Sequence, residues 1–260
     1  MEKVRAVSAE ARPAPPTAVT VEASDPRLAG ALVAAVVRPD PASYRLVANE
    51  YRRLGILDKA HEYLNRALHL DPRDAATFDT LARLWRDWGM PHLALGDAYR
   101  AVFYAPASAP VRNTLGTVFQ ALGRRDLARE QYEQALRYDG QAAYALSNLC
   151  YAWMLESRGP EAVAACRAAL SLQPDLAAAG NNLGLALAVS GEVEAAAEAF
   201  SAAGDAASAR YNEGIVLLAT RRYAAALAAF EAAHRARPDL RLAEVRARQT
   251  RRLMQMGEAR

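Results

Sequence analysis

Cysteine is nearly missing from this chain. Cys150 and Cys166 are the two in 260 residues, too few for a disulfide scaffold or a thiolate metal site. Histidine is as sparse: His61, His69, His92 and His234 are scattered, with no HExxH and no carboxylate cluster beside them, so no metal and no cofactor is expected. No GxSxG, P-loop or GxGxxG following a strand occurs. The carboxylates Glu130, Glu133, Glu194 and Glu198 fall at helical spacing and read as solubilising charge, with no buried acid pair suggested. Catalysis by this chain alone is therefore not expected. A net charge of +3 argues against a dedicated nucleic-acid binder. No run approaches the ~20 apolar residues a membrane helix needs; the longest candidate, Leu28 to Val37, is short and contains Gly30. No apolar region follows the basic residues at the start. A cytoplasmic protein is expected, or a periplasmic one if a leader has been removed.

Alanine is what the chain has in abundance. It makes up much of a hydrophobic fraction of 52%, against 7% aromatics, which favours helices and close helix packing. Small residues recur in phase: Ala48, Ala82, Gly116, Cys150 and Gly184 stand 34 apart, then Gly214 after 30. Ala60, Ala94, Ala128, Ala162, Ala196 and Ala226 form a second series, and Ala67, Ala101, Ala135, Ala169, Ala203 and Ala233 a third. The glycines Gly55, Gly89, Gly123 and Gly191 keep the register, as do Pro72, Pro106, Gly140, Pro174 and Pro238. Two helices of about 13 residues with two tight turns consume about 34 residues. Larger side chains recur between the small ones: Tyr51, Trp85, Phe119, Trp153 and Leu187 on first helices, and Leu64, Tyr132, Phe200 and Phe230 on second helices.

This pattern resembles the tetratricopeptide repeat, with its aromatic–Leu–Gly–Tyr first helix and Ala–Phe–Ala–Pro second helix. The run Thr77-Phe78-Asp79-Thr80-Leu81-Ala82-Arg83-Leu84-Trp85 carries the first half, and Ala128, Tyr132, Ala135 and Leu136 carry the second. The resemblance implies an all-α, right-handed solenoid of about six helix-turn-helix repeats, at 41–74, 75–108, 109–142, 143–176, 177–206 and 207–240. Residues 1–24, with Pro13, Pro15 and Pro16, read as a disordered or extended arm. Residues 25–38, opened by Asp25-Pro26, read as a cap helix, and residues 241–260 as a second one. Eight arginines between Arg235 and Arg260 read as a solvated face or as a basic handle for an acidic protein or RNA.

Two repeats depart from the pattern. The fourth has Cys150 and Cys166 in slots of the packed face. Buried free thiols are the favoured reading, with a disulfide, requiring an oxidising compartment, as the alternative. The fifth is four residues short, about one helical turn, so its second helix should end early, near Gly204.

In a solenoid of this family the first helices line a concave groove. Asn148, Asn182 and Asn212 share one phase there, with Asn113 and Asn181 one place earlier. An Asn amide carries two donors and an acceptor and can hold a peptide backbone without reading its sequence. The ladder is similar to the groove of the repeat domain in nucleocytoplasmic O-linked glucosaminyltransferases. The competing reading is that these side chains bond the neighbouring helix. Tyr144, Tyr151 and Tyr211 are candidates to pack on a guest's side chains. In the first two repeats Arg45, Asn49, Arg52, Arg83 and Arg86 fall near the groove and could meet an acidic or carboxylate-ended segment. They do not reproduce the Lys/Asn clamp of chaperone-binding members. The expected function is a non-catalytic scaffold or adaptor for a protein or peptide partner. The alternatives are a self-associating assembly subunit, hence a homo-oligomer, and an accessory subunit of a partner enzyme. The Ala- and Arg-rich composition fits a bacterial source, and for bacterial proteins of this family the resemblance implies pilus, secretion or envelope assembly.

Overall fold

Alternating small and large residues at helical spacing give an all-α chain. The structure, a computed structural model, describes residues 25–258, and the arm expected at 1–24 lies outside them. Among the described residues there are helices and no strands. They fall into two compact units, divided after Pro106.

Unit 1 contains α1 (Pro26–Val37), α2 (Pro41–Arg53), α3 (Leu57–Leu70), α4 (Ala75–Asp87) and α5 (Pro91–Tyr104). Each helix packs on the next. The Asp25 carboxylate accepts from the backbone N–H groups of Arg27 and Leu28 and so caps α1. Asp40 and Ser43 form a reciprocal capping box on α2. Each arrangement satisfies donors that a helix start leaves unpaired.

Unit 2 contains α6 (Ala109–Ala121), α7 (Arg125–Tyr138), α8 (Ala143–Leu155), α9 (Gly159–Leu172), α10 (Ala177–Val189), α11 (Val193–Ala203), α12 (Ala206–Ala219), α13 (Tyr223–Ala236) and α14 (Arg241–Glu258). Consecutive helices pack together, and α8 also touches α10, as α10 touches α12. Contact between alternate helices is what makes a stack of helix pairs a solenoid rather than a row of separate hairpins. The short fifth pair loses its residues from α11, which stops at Ala203. Gly204 is extended, and Asp205 caps α12 through the N–H groups of Ala207 and Ser208. Arg237 and the Ser208 N–H hold the Asp205 carboxyl well below the usual carboxylate range.

The hairpin interior follows one rule in unit 2. A small residue on the first helix admits a ring from the second, 16 positions later. A Cβ added to Gly116 would come within 2.4 Å of the Tyr132 ring, and one on Gly184 within 2.4 Å of Phe200. Gly214 stands in the same relation to Phe230, at 2.7 Å. In α8 and α9 the same two slots hold Cys150 and Cys166, and they are joined by a disulfide with Cα atoms 5.4 Å apart. This corrects the expectation of free thiols. With no ring to fill the gap, two short side chains facing across it bring their sulfurs into bonding reach.

The turns inside the hairpins share one construction. The second residue beyond each first helix is left-handed, and the next N–H reaches back five residues: Ile56 to Tyr51, Met90 to Trp85, Arg124 to Phe119, Arg158 to Trp153, Glu192 to Leu187 and Arg222 to Leu217. This is a Schellman closure, which glycine suits best. Gly55, Gly89, Gly123 and Gly191 take the left-handed position, and Ser157 and Arg221, both at φ 59°, take it in the remaining two hairpins.

Candidate partner-binding face

The first helices of unit 2 are tied to one another by amide side chains. Asn148 of α8 donates from Nδ2 to Oδ1 of Asn113 on α6, at 2.8 Å. Asn182 of α10 donates to the backbone carbonyl of Ser147 on α8 at 3.0 Å and to its Oγ at 3.3 Å. Asn212 of α12 donates to Oδ1 of Asn181 on α10, at 2.8 Å. One rung therefore repeats three times, always from an Asn to the preceding first helix. All five asparagines are half-buried. Since each amide has two N–H donors and an acceptor oxygen, the Asn148 and Asn212 rungs each occupy one donor, while Asn182 reaches two acceptors of Ser147. The second N–H of Asn148 and of Asn212 and the Oδ1 of Asn148, Asn182 and Asn212 engage no described residue, and neither do the amino groups of Asn113 and Asn181.

The tyrosines divide. Tyr144, Asn148 and Tyr151 follow one another at i, i+4 and i+7, so one face of α8 carries all three. Tyr144 is half-buried against the cluster of Ala109, Ala135, Ala142 and Ala145, and Tyr151 is also half-buried. Tyr211 turns towards α13 instead. Its ring centroid lies 5.7 Å from that of Phe230, and it packs on the cluster around Leu217 and Ala226.

In unit 1 the arginines already have carboxylate partners. Arg45 pairs with Asp74, with Thr77 Oγ1 at 3.5 Å. Arg52 reaches Asp87 at 3.3 Å, Arg86 reaches the same Asp87 at 2.9 Å, and Arg83 pairs with Asp79 at 2.5 Å. Arg52 and Arg86 thus share Asp87. Burial lowers the pKa of Arg52, Asp87 opposes that, and Arg83 and Arg86 lower it further. Asn49 is exposed beside them. The sequence reading missed Asp74, Asp87 and Ser147. Their signal is an offset of 29 or 35 residues from the partner, close to one repeat.

A cavity of about 240 Å³ lies between α11, α12 and the start of α13, lined by Val193, Phe200, Glu213, Val216, Leu217 and Arg222. No group of three or more His, Cys, Asp or Glu side chains able to hold a metal occurs among the described residues. No helix among them is long and apolar enough to cross a membrane.

The tetratricopeptide repeat family model matches residues 113–177 and 200–241. No curated protein matches the sequence. Among solved structures, the fold is similar to a chain of the APC/C hetero-tetramer Cut9-Hcn1, with TM-score 0.74 and 18% identity over 89% of this chain. This chain spans 48% of that one, about half its length. A tetratricopeptide repeat protein from Parabacteroides merdae is similar at TM-score 0.65 and 16% identity, covering 86% of this chain and 90% of its own. PilW, described as a widely conserved type IV pilus biogenesis factor, is similar at TM-score 0.64 and 19% identity, covering 75% of this chain and 92% of its own. At these identities the likeness is one of fold.

Proposed function

We propose that this chain, matched by the tetratricopeptide repeat family model over residues 113–177 and 200–241, is a non-catalytic scaffold whose partner lies along the first-helix face of unit 2. The observation that carries the proposal is the spare capacity of each amide. Asn148, Asn182 and Asn212 recur at the repeat spacing, each with its Oδ1 unspent, and Asn148 and Asn212 each keep one N–H unspent as well. A peptide backbone offers one donor and one acceptor per residue, which is the complement of those unspent groups. An extended segment of the partner then gains sequence-tolerant bonds from successive rungs, and its side chains pack beside Tyr144 and Tyr151 of α8.

The setting we favour is pilus, secretion or envelope assembly in an oxidising compartment. The Cys150–Cys166 disulfide supports that choice, because disulfides are rare where thiols are kept reduced. The pilus role printed for the similar PilW fold is consistent with it. Site-specific photo-crosslinking in the native host tests the face. A photoreactive residue at Tyr144 or Tyr151 should give a partner adduct, and one at Glu130 or Glu198, exposed on second helices, should not. Equal adducts from both sets, or none from the first, would remove the proposal.

A further inference from the structure

Where one hairpin of unit 2 meets the next first helix, the same two positions are occupied differently in each repeat. Between α7 and α8 the second-helix position is Arg129, whose guanidinium bonds Glu133 of its own helix at 3.0 Å and Glu156, just past the end of α8, at 3.2 Å. One repeat on, Val163 of α9 takes the Arg129 position and packs with Leu183 of α10 on the cluster of Cys150, Ala162 and Ala186. One repeat further, the two positions hold Ala197 of α11 and Glu213 of α12. Ala197 stops at its Cβ, and Glu213 stands where the preceding first helices have Leu149 and Leu183. Both residues line the cavity of about 240 Å³ found there. A site that the chain fills twice with its own side chains is thus left open once.

The lining specifies a guest. Val193, Phe200, Val216 and Leu217 supply apolar wall, Glu194 and Glu213 supply carboxylates, and Arg222 supplies a guanidinium that is exposed. Glu213 spends Oε2 on Arg210 at 2.8 Å, while its Oε1 and the Glu194 carboxylate engage no described residue. A carboxylate set against an apolar wall costs free energy unless a cation or a donor reaches it. We propose that the cavity receives the side chain of an arginine on a docked protein segment. Its methylene stem lies along Phe200 and Val216, and its guanidinium takes Glu213 Oε1 and the Glu194 carboxylate. An arginine covers apolar surface with its stem while its head stays at a polar rim, and its fork of donors suits carboxylate oxygens. An apolar cavity of ~150 Å³ already holds benzene, so the volume admits a side chain. Arg129 makes the same kind of contact within the chain, reaching two carboxylates from the position that Ala197 leaves empty. Arg222 opposes the guest, but the lining carries two carboxylates to its one guanidinium. None of the asparagines takes part, so this assignment and the asparagine-ladder reading fail separately.

The probe is N-acetylarginine methylamide, titrated into the isotope-labelled full chain and followed by NMR. The backbone amides of Val193, Ala197, Phe200 and Glu213 should shift together, with a dissociation constant of about 1 mM, as expected of a single side chain. Glu213→Gln should weaken the probe at least about fivefold. Ala197→Arg, which copies Arg129, should fill the cavity from within and abolish binding at unchanged helix content. No shift at about tenfold the expected dissociation constant overturns the assignment, and so does undiminished binding by folded Glu213→Gln protein. Three further probes decide the chemistry. N-acetylnorleucine methylamide binding as tightly would make the site merely apolar. Pentanoate binding more tightly would give it to an anion on Arg222. Free arginine binding more tightly than the blocked form would make the guest a small molecule. Each of these results overturns the assignment.

Discussion

Two neighbouring hairpins of unit 2, α8–α9 and α10–α11, fill the same slots in opposite ways. In α10–α11, Gly184 lies under the Phe200 ring, and the turn is made by Gly191. In α8–α9, Cys150 is bonded to Cys166, and the turn is made by Ser157 in a left-handed conformation that disfavours a side chain. Noncovalent packing with a relaxed turn stands beside a covalent tie with a strained one. The tied hairpin is also the one that presents Tyr144, Asn148 and Tyr151 on a single face. The comparison teaches that one frame accepts either solution, and that the covalent one coincides with the most aromatic part of the candidate partner-binding face.

Removing the tie should have the largest effect. A 16-residue separation corresponds to roughly 3 kcal/mol of stabilisation by the chain-entropy argument. Cys150→Ala with Cys166→Ala should therefore lower stability by about that much in denaturant melts, and reduction should do the same to the wild-type chain. A reduced chain as stable as the oxidised one would make the two hairpins energetically equivalent.

Next comes the glycine under the ring. Gly184→Ala should cost about 2 kcal/mol, because the added Cβ would stand 2.4 Å from Phe200 in a full slot. Gly30→Ala in α1, where a Cβ meets nothing within 4 Å, should be neutral or should stabilise by up to about 1 kcal/mol. Equal costs at the two glycines would mean that the slot is looser than the ring contact indicates.

The turn gives the smallest effect. Ser157→Gly should stabilise α8–α9 by about 1 kcal/mol by relieving a left-handed serine, and Arg221→Gly should do the same for α12–α13. Both turns keep the five-residue backbone closure found in the glycine turns, so the gain reports on the side chain alone. Gly191→Ser in α10–α11 should lose a similar amount, which would bring the two hairpins' turns level.

Much of this was legible in the chain. The phased small residues gave the all-α stack, and the four-residue deficit marked where α11 ends. Ser157 and Arg221 stand in the glycine phase, so their left-handed turns could have been read from the register. What remained hidden depended on which helices touch. The asparagine phase was visible, but the rung from Asn148 to Asn113 joins helices one repeat apart and appears only once α6 and α8 are side by side. The Asn148 and Asn212 rungs each use one donor of two, so bonding the neighbouring helix does not exhaust these amides. The arginines of unit 1 looked like free cations because Asp74 and Asp87 lie 29 and 35 residues further on. Taken slot by slot, Cys150 and Cys166 look like two buried thiols. The signal for a bond was joint: both the glycine and the ring are missing from one hairpin.

The scaffold reading is tested most directly by changing Asn148, Asn182 and Asn212 together to Ala and measuring affinity for the partner recovered through the Tyr151 adduct. The three lost rungs should lower stability by only about 1 kcal/mol each, leaving a folded helical chain, while affinity for the partner falls at least about tenfold. Undiminished affinity in a folded triple variant would contradict the account.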